Sequence, residues 1–170
     1  AGAFINNAQI SGSSFRRTTL EDVTFMLSDV SNASFAGASF SSLTRIESSS
    51  FAFAQLEGAD LNGMSIVEAK LNHAILRSAQ LRNAELLTSD LANAVCDDAD
   101  FSHSELTLSR FRGASLRRAS FRNAKLASTS FVGAMCERAN FLGATDTNTA
   151  DFNGIVGQPI GLPSQAAPPP

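Results

Sequence analysis

An apolar residue stands at every fifth position of this chain from Ile5 to Phe141, with one slip in register. The first run is Ile5, Ile10, Phe15, Leu20, Phe25, Val30, Phe35 and Phe40; the second starts at Ile46 and Phe51 and ends at Cys136 and Phe141. The 28 register positions hold 10 Phe, 11 Leu, 4 Ile, 2 Cys and 1 Val, so none is polar. A period of five fits neither the 3.6 residues of a helix nor the 2 of a strand. It keeps one residue type on one side only if the chain turns once per repeat, and four such turns close a square of twenty residues. The interior of such a coil is narrow, so large side chains fit only beside small ones. Two residues before each register position stands Ala, Ser or Thr in 26 of 28 cases, Val23 and Met64 being the exceptions. A strict internal repeat of this kind decides the architecture before any other feature.

Other residues agree with a tight coil. Gly or Asn often lies two after the register position, as at Gly12, Gly37, Gly58, Asn83, Asn93 and Gly133; both tolerate the positive φ that a sharp corner requires. All five prolines lie after residue 158, which suits a backbone ladder with little room for a residue lacking an N–H. Seven coils paired at strand spacing would stand roughly 34 Å tall. No repeat buries its own apolar side chain, so stability must come from stacking.

Units such as Ala59-Asp60-Leu61-Asn62-Gly63 and Ala99-Asp100-Phe101-Ser102-His103 resemble the pentapeptide-repeat family, over about residues 3–144. The resemblance implies an all-β fold: a right-handed quadrilateral parallel β-helix of about seven coils, four repeats to a coil. The register residue and the small residue two before it would point inward, and the other three outward.

Residues 41–45 carry one extra residue, read as a bulge at a corner. The repeat fades after Ala144 and returns once at Phe152, so 145–156 are expected to cap a β-helix spanning 1–156, with 157–170 a Pro-rich disordered tail or linker. Neither end carries an obvious capping helix, and an uncapped stack invites a homodimer by end-to-end association. No apolar run approaches the length of a membrane span, and the N-terminus shows no basic segment leading into an apolar one. The expected compartment is the cytoplasm; the alternative is an exported or organelle-lumenal protein that has lost a targeting peptide, and the missing initiator Met fits such processing or a fragment.

Residues twenty apart should form vertical columns on the outside. Glu57, Arg77, Asp97, Arg117 and Glu137 alternate in sign, as do Lys70, Asp90 and Arg110, the pattern of register-fixing charge ladders. Arg110, Arg112, Arg117, Arg118, Arg122 and Lys125 form a candidate basic band directly after Asp97, Asp98, Asp100 and Glu105. Its field is dipolar and there is no Tyr or Trp for base stacking, so nucleic-acid binding is disfavoured. One face differs: Met26, Leu27, Val67, Leu87 and Leu108 are apolar and outward, with Glu47, Glu68 and Glu85 among them, and Ile75, Val95 and Met135 are expected in a neighbouring column. Apolar residues exposed together point to a contact site. They are the candidate partner-binding face.

Chemistry is absent from the pattern. His73 and His103 fall at the same outward position on different faces, and no Ser/His/Asp arrangement, phosphate-binding loop or metal-ligand spacing appears. Cys96 and Cys136 share an inward column two coils apart, about 9–10 Å, too far for a disulfide. No catalytic residue, cofactor or metal is expected. The residues favour a non-catalytic scaffold that binds another protein through a flat face of the rod. One alternative is a DNA mimic protecting DNA gyrase, which the resemblance allows. A net charge of −3 and a Pro-rich end where such mimics carry a dimerising helix disfavour it. Another is a spacer or targeting module of a longer protein.

Overall fold

The protein is described by a computed structural model over residues 2–162. Its strands are all parallel. A five-stranded sheet is built from β1 (Ala3–Asn6), β3 (Val23–Met26), β5 (Arg45–Glu47), β6 (Ser65–Val67) and β7 (Glu85–Leu87), in that order. A second sheet pairs β2 (Thr19–Leu20) with β4 (Ser39–Phe40). Each partner lies about one coil further on: Val67 pairs with Leu87, and Ser65 with Glu85. Beyond these strands, isolated parallel bridges such as Lys70↔Asp90, Ile75↔Val95 and Gln80↔Asp100 extend the other three faces. The result is the four-sided parallel β-helix that the repeat implies.

The expected uniform stack of about seven coils needs one correction. Continuous sheet on the first face covers about four turns, β1 to β7; beyond them the ladder runs through single bridges Glu85↔Glu105, Glu105↔Lys125 and Lys125↔Thr145. The cause is a change in one corner. At most corners the N–H of the small inward residue donates to the carbonyl three residues back, as Ala33 to Val30 (3.2 Å) and Ala54 to Phe51 (3.1 Å). After β1, β3, β6 and β7 that N–H instead reaches a serine hydroxyl one coil away: Ala8 to Ser28, Ser28 to Ser49, Ala69 to Ser89, Ser89 to Ser109. The corner stays open and the strand stays long. At Ser109 and Thr129 the turn closes on Leu106 and Leu126, both at 3.0 Å, and the strand shrinks to a bridge.

Inward positions form one core. Phe25, Phe35, Phe51, Leu61, Leu86 and Phe121 are all fully buried, as are the small residues beside them, such as Ala54, Ala74 and Ala94. Val23 and Met64 are buried too; they flank Thr44 in one column, against the corner that carries the extra residue. In the upper coils the aromatic rings stack in two columns. Phe101, Phe121 and Phe141 lie 4.9 and 4.8 Å apart, nearly parallel, and Phe111, Phe131 and Phe152 lie 5.2 and 4.9 Å apart. Rings of one column meet those of the other edge-on, Phe121 against Phe131 at 5.4 Å and 88°. Such pairs contribute about 0.5–1.5 kcal/mol each beyond simple burial.

At the slip, Thr44 N–H closes a turn on Ser41 (2.9 Å) and Leu43 is left outside. At the far end the ladder passes residue 156, where the sequence places the domain boundary: Phe141 N–H donates to Ile160 (2.7 Å) and Ile160 N–H to Ala139 (2.8 Å). In this last turn the residues packed on the core are Ala144, Ala150, Phe152, Ile155 and Leu162, all only partly buried, so the core tapers. Residues 163–170, most of the predicted tail, lie outside the described residues. No described helix is long and apolar enough to cross a membrane.

Candidate protein-binding face

Three of the five predicted face residues lie on the first face and two on its edge. Met26, Val67 and Leu87 share one column of the sheet, interrupted by Glu47, through the pairings Met26↔Glu47↔Val67↔Leu87. They are half-buried. Leu27 and Leu108 stand on the adjoining corner and are 59% and 54% exposed. The corner position is left-handed in nearly every repeat: Leu27 has φ 50° and Leu108 φ 62°, where most other repeats place Gly, Asn, Asp or Ser. A branched residue held there costs roughly 1–2 kcal/mol, and its exposure recovers nothing by burial. The left-handed corner itself belongs to the fold, since Arg17, His73, Thr88 and Arg138 also occupy it; what sets Leu27 and Leu108 apart is an exposed apolar side chain there, shared only by Phe53 among the described corners.

The acidic residues of this face have few partners. Glu68 accepts the Ser48 hydroxyl at 2.9 Å. Glu47 and Glu85 make no ion pair among the described residues, whose three ion pairs are Arg82–Asp100, Arg118–Asp98 and Lys125–Glu105. Several aspartates elsewhere are occupied. Asp60, Asp90 and Asp100 each accept the N–H two residues ahead, at 3.1, 3.0 and 2.9 Å, and so shape the corner locally.

Two expectations are corrected. Ile75, Val95 and Met135 do not neighbour this face: their bridges place them on the third face, across the whole of the second. The alternating columns exist, since Lys70 bridges Asp90 and Asp90 bridges Arg110, but none of these pairs comes within ion-pair distance. Asp97 instead accepts the Arg117 backbone N–H at 3.1 Å and the Ser115 hydroxyl at 2.5 Å, and Arg117 Nη1 donates to Ser115 at 2.7 Å.

The basic band encircles the rod. Arg110 and Arg112 are on the second face, Arg117 and Arg118 on the third, Arg122 on the fourth and Lys125 on the first. Arg118 grips Asp98 with two bonds of 2.6 Å. These hydrogen bonds hold the Asp98 carboxyl below its ordinary range, burial opposing them, and raise Arg118 above its own. Lys125 meets Glu105 at 3.3 Å. Much of the band thus serves the rod itself, and Arg118 and Lys125 tie one coil to the next.

His73 is not simply solvated. Its ring lies flat on Phe53, 4.8 Å away and 3° from parallel. Phe53 escapes the sequence pattern: it is 48% exposed, at φ 60°, on the corner between the second and third faces. An aromatic at a left-handed corner was the available signal. Among the described residues the His103 side chain meets only Asn123, at 3.4 Å. The buried thiols are held protonated, Cys136 pushed up to about 12 by burial and Cys96 higher still, by burial and then Asp97. No group of three or more metal-ligating side chains gathers among the described residues.

Comparison with known proteins agrees with this geometry. A family model for pentapeptide repeats matches eight copies, over residues 49–86 and 88–123. The chain is a pentapeptide-repeat protein. HetL of Nostoc sp. strain PCC 7120, involved in regulating heterocyst differentiation, superposes with a TM-score of 0.57 at 20% identity, covering 91% of this chain and 86% of HetL. A pentapeptide-repeat protein of the Arabidopsis thaliana thylakoid lumen gives 0.45 at 28% identity, over 59% of this chain and 67% of that one. Full-length QnrB1, a plasmid-mediated fluoroquinolone resistance protein, gives 0.49 at 15% identity, over 90% and 92%. No curated protein matches the pentapeptide-repeat chain by sequence.

Proposed function

We propose that this pentapeptide-repeat protein is a non-catalytic scaffold that binds another protein through its first face, the strip of Met26, Val67 and Leu87 edged by Leu27 and Leu108. The observation that carries this reading is the pair of corner leucines. Each is more than half exposed in a left-handed conformation, and strain at an exposed apolar side chain is the kind of cost that function, not folding, sustains. The sheet beneath is rigid, with backbone bonds on both sides of each strand from β3 to β6, so a partner meets a pre-formed surface. The gyrase-protecting alternative gains nothing from the charges, since cations ring the upper coils.

The test is an affinity capture from the source lysate, with the native rod beside a Val67→Asp/Leu87→Asp variant of unchanged circular dichroism and Tm. A partner retained by the native rod and lost by the variant supports the reading. A partner retained equally by both removes it.

A further inference from the structure

We infer that the partner segment on this face is a cationic amphipathic helix of about 13 residues lying along the rod axis. The inference rests on the binding reading above and adds the chemistry of what binds. Two observations lead to it.

The first is spacing. Leu27, Ser48, Glu68, Thr88 and Leu108 follow one another up the corner, so the two leucines are four coil steps apart. At strand spacing that is about 19 Å, the length of roughly 13 helical residues at about 1.5 Å each. The coil step of about 4.8 Å also lies close to the helical pitch of about 5.4 Å. A helix laid along the rod therefore presents about one apolar residue per turn to each coil, and the i, i+3, i+4, i+7 stripe of a docking helix meets the Val67–Leu87 column without bending.

The second is charge. Glu47 pairs in register with Val67, Glu68 follows Val67 in the chain, and Glu85 is two residues before Leu87. These three carboxylates surround the apolar centre without an ion pair among the described residues. Arg45 is the one cation beside them on the sheet, because Lys125 is held by Glu105. An apolar centre rimmed by one sign of charge calls for an apolar stripe flanked by Lys or Arg.

Two synthetic helical peptides test this: one with Leu on one face and Lys on the other, and its twin with Glu for Lys. Binding is measured by isothermal calorimetry on the full chain and on two folded variants, Glu47→Gln/Glu68→Gln/Glu85→Gln and Val67→Ser/Leu87→Ser. The expected result is binding of the Leu/Lys peptide alone, weakened about tenfold by the triple variant, the size of three exposed ion pairs. The serine variant should weaken it at least as much. Equal binding to native and triple variant, binding of both peptides alike, or binding untouched by the serine pair would each overturn the inference. So would a native rod that dimerises in sedimentation and is monomeric as the triple variant, which would assign the face to a second copy. If only the charge inference fails, the partner captured from lysate is still lost with Val67→Asp/Leu87→Asp; if the face reading fails, it is retained.

Discussion

The upper coils and the first face of the lower coils obey different rules. Above Phe101 nearly every side chain has a structural role. Rings stack in two columns, Arg118 and Lys125 hold carboxylates of the coil before, and the corners carry Gly113, Asn123, Gly133 and Gly143 among others, all at positive φ. On the first face from Met26 to Leu108 some residues do nothing for the fold. Leu27 and Leu108 occupy left-handed corners, and Glu47, Glu68 and Glu85 make no ion pair among the described residues. Folding physics accounts for most of the first region, the exposed Leu142, Val156 and Ile160 excepted. What it leaves unexplained in the second is what the proposed partner-binding role would account for.

The largest expected effect lies in the upper region. Phe121 is buried between Phe101 and Phe141 and edge-on to Phe111 and Phe131, so Phe121→Ala should cost about 3–5 kcal/mol in urea unfolding. Partner binding by the still-folded fraction should not change. A loss under about 1 kcal/mol would mean that the rings do not hold the stack.

A smaller effect tests the open corner beneath the proposed face. Ala69 interrupts the serine column, and the N–H of buried Ser49 has no acceptor among the described residues. Ala69→Ser places a hydroxyl where Ser28, Ser89 and Ser109 have theirs, and should stabilise by about 1 kcal/mol. An unchanged or lowered midpoint would show that the corner is open for another reason.

The smallest effect concerns charge in the upper coils. The Asp98 carboxyl is held low by Arg118. Its contribution is therefore present above the ordinary carboxylate pKa and is lost as pH falls through the lowered one. The Tm difference between the native protein and Arg118→Gln should be small near neutrality and vanish once pH has fallen through the lowered Asp98 pKa. A difference independent of pH would mean that the pair acts through packing alone.

The five-residue period makes the interior legible: alternation of large and small residues names each inward side chain, and addition of twenty names each column. The count of repeats also names the face: Ile75 belongs to the repeat of Leu76, two repeats and so two faces after that of Ile66, which puts it opposite Val67 and not beside it. Two features stay hidden. The hydroxyls of Ser28, Ser49, Ser89 and Ser109 are visible at coil spacing, but their effect on the corner depends on which way a backbone N–H points. The charge ladders are visible as columns, yet Asp97 bonds to a backbone N–H and to Ser115 instead of to a guanidinium, a choice of rotamer that spacing does not encode. The candidate face itself is readable residue by residue. What the structure adds is that Leu27 and Leu108 sit on left-handed corners, which turns an apolar patch into a costly one.

That cost allows the most direct measurement. The Leu27→Gly/Leu108→Gly protein removes strain at both corners, while Gly133→Leu adds it at a corner with open space around it. The double glycine variant should unfold later than the native protein, by about 1 kcal/mol per corner, and bind the captured partner at least about tenfold more weakly, the loss of two apolar anchors. Gly133→Leu should unfold earlier and bind normally. A double glycine variant that is more stable and binds as well as the native protein would show that these leucines are not kept for a partner.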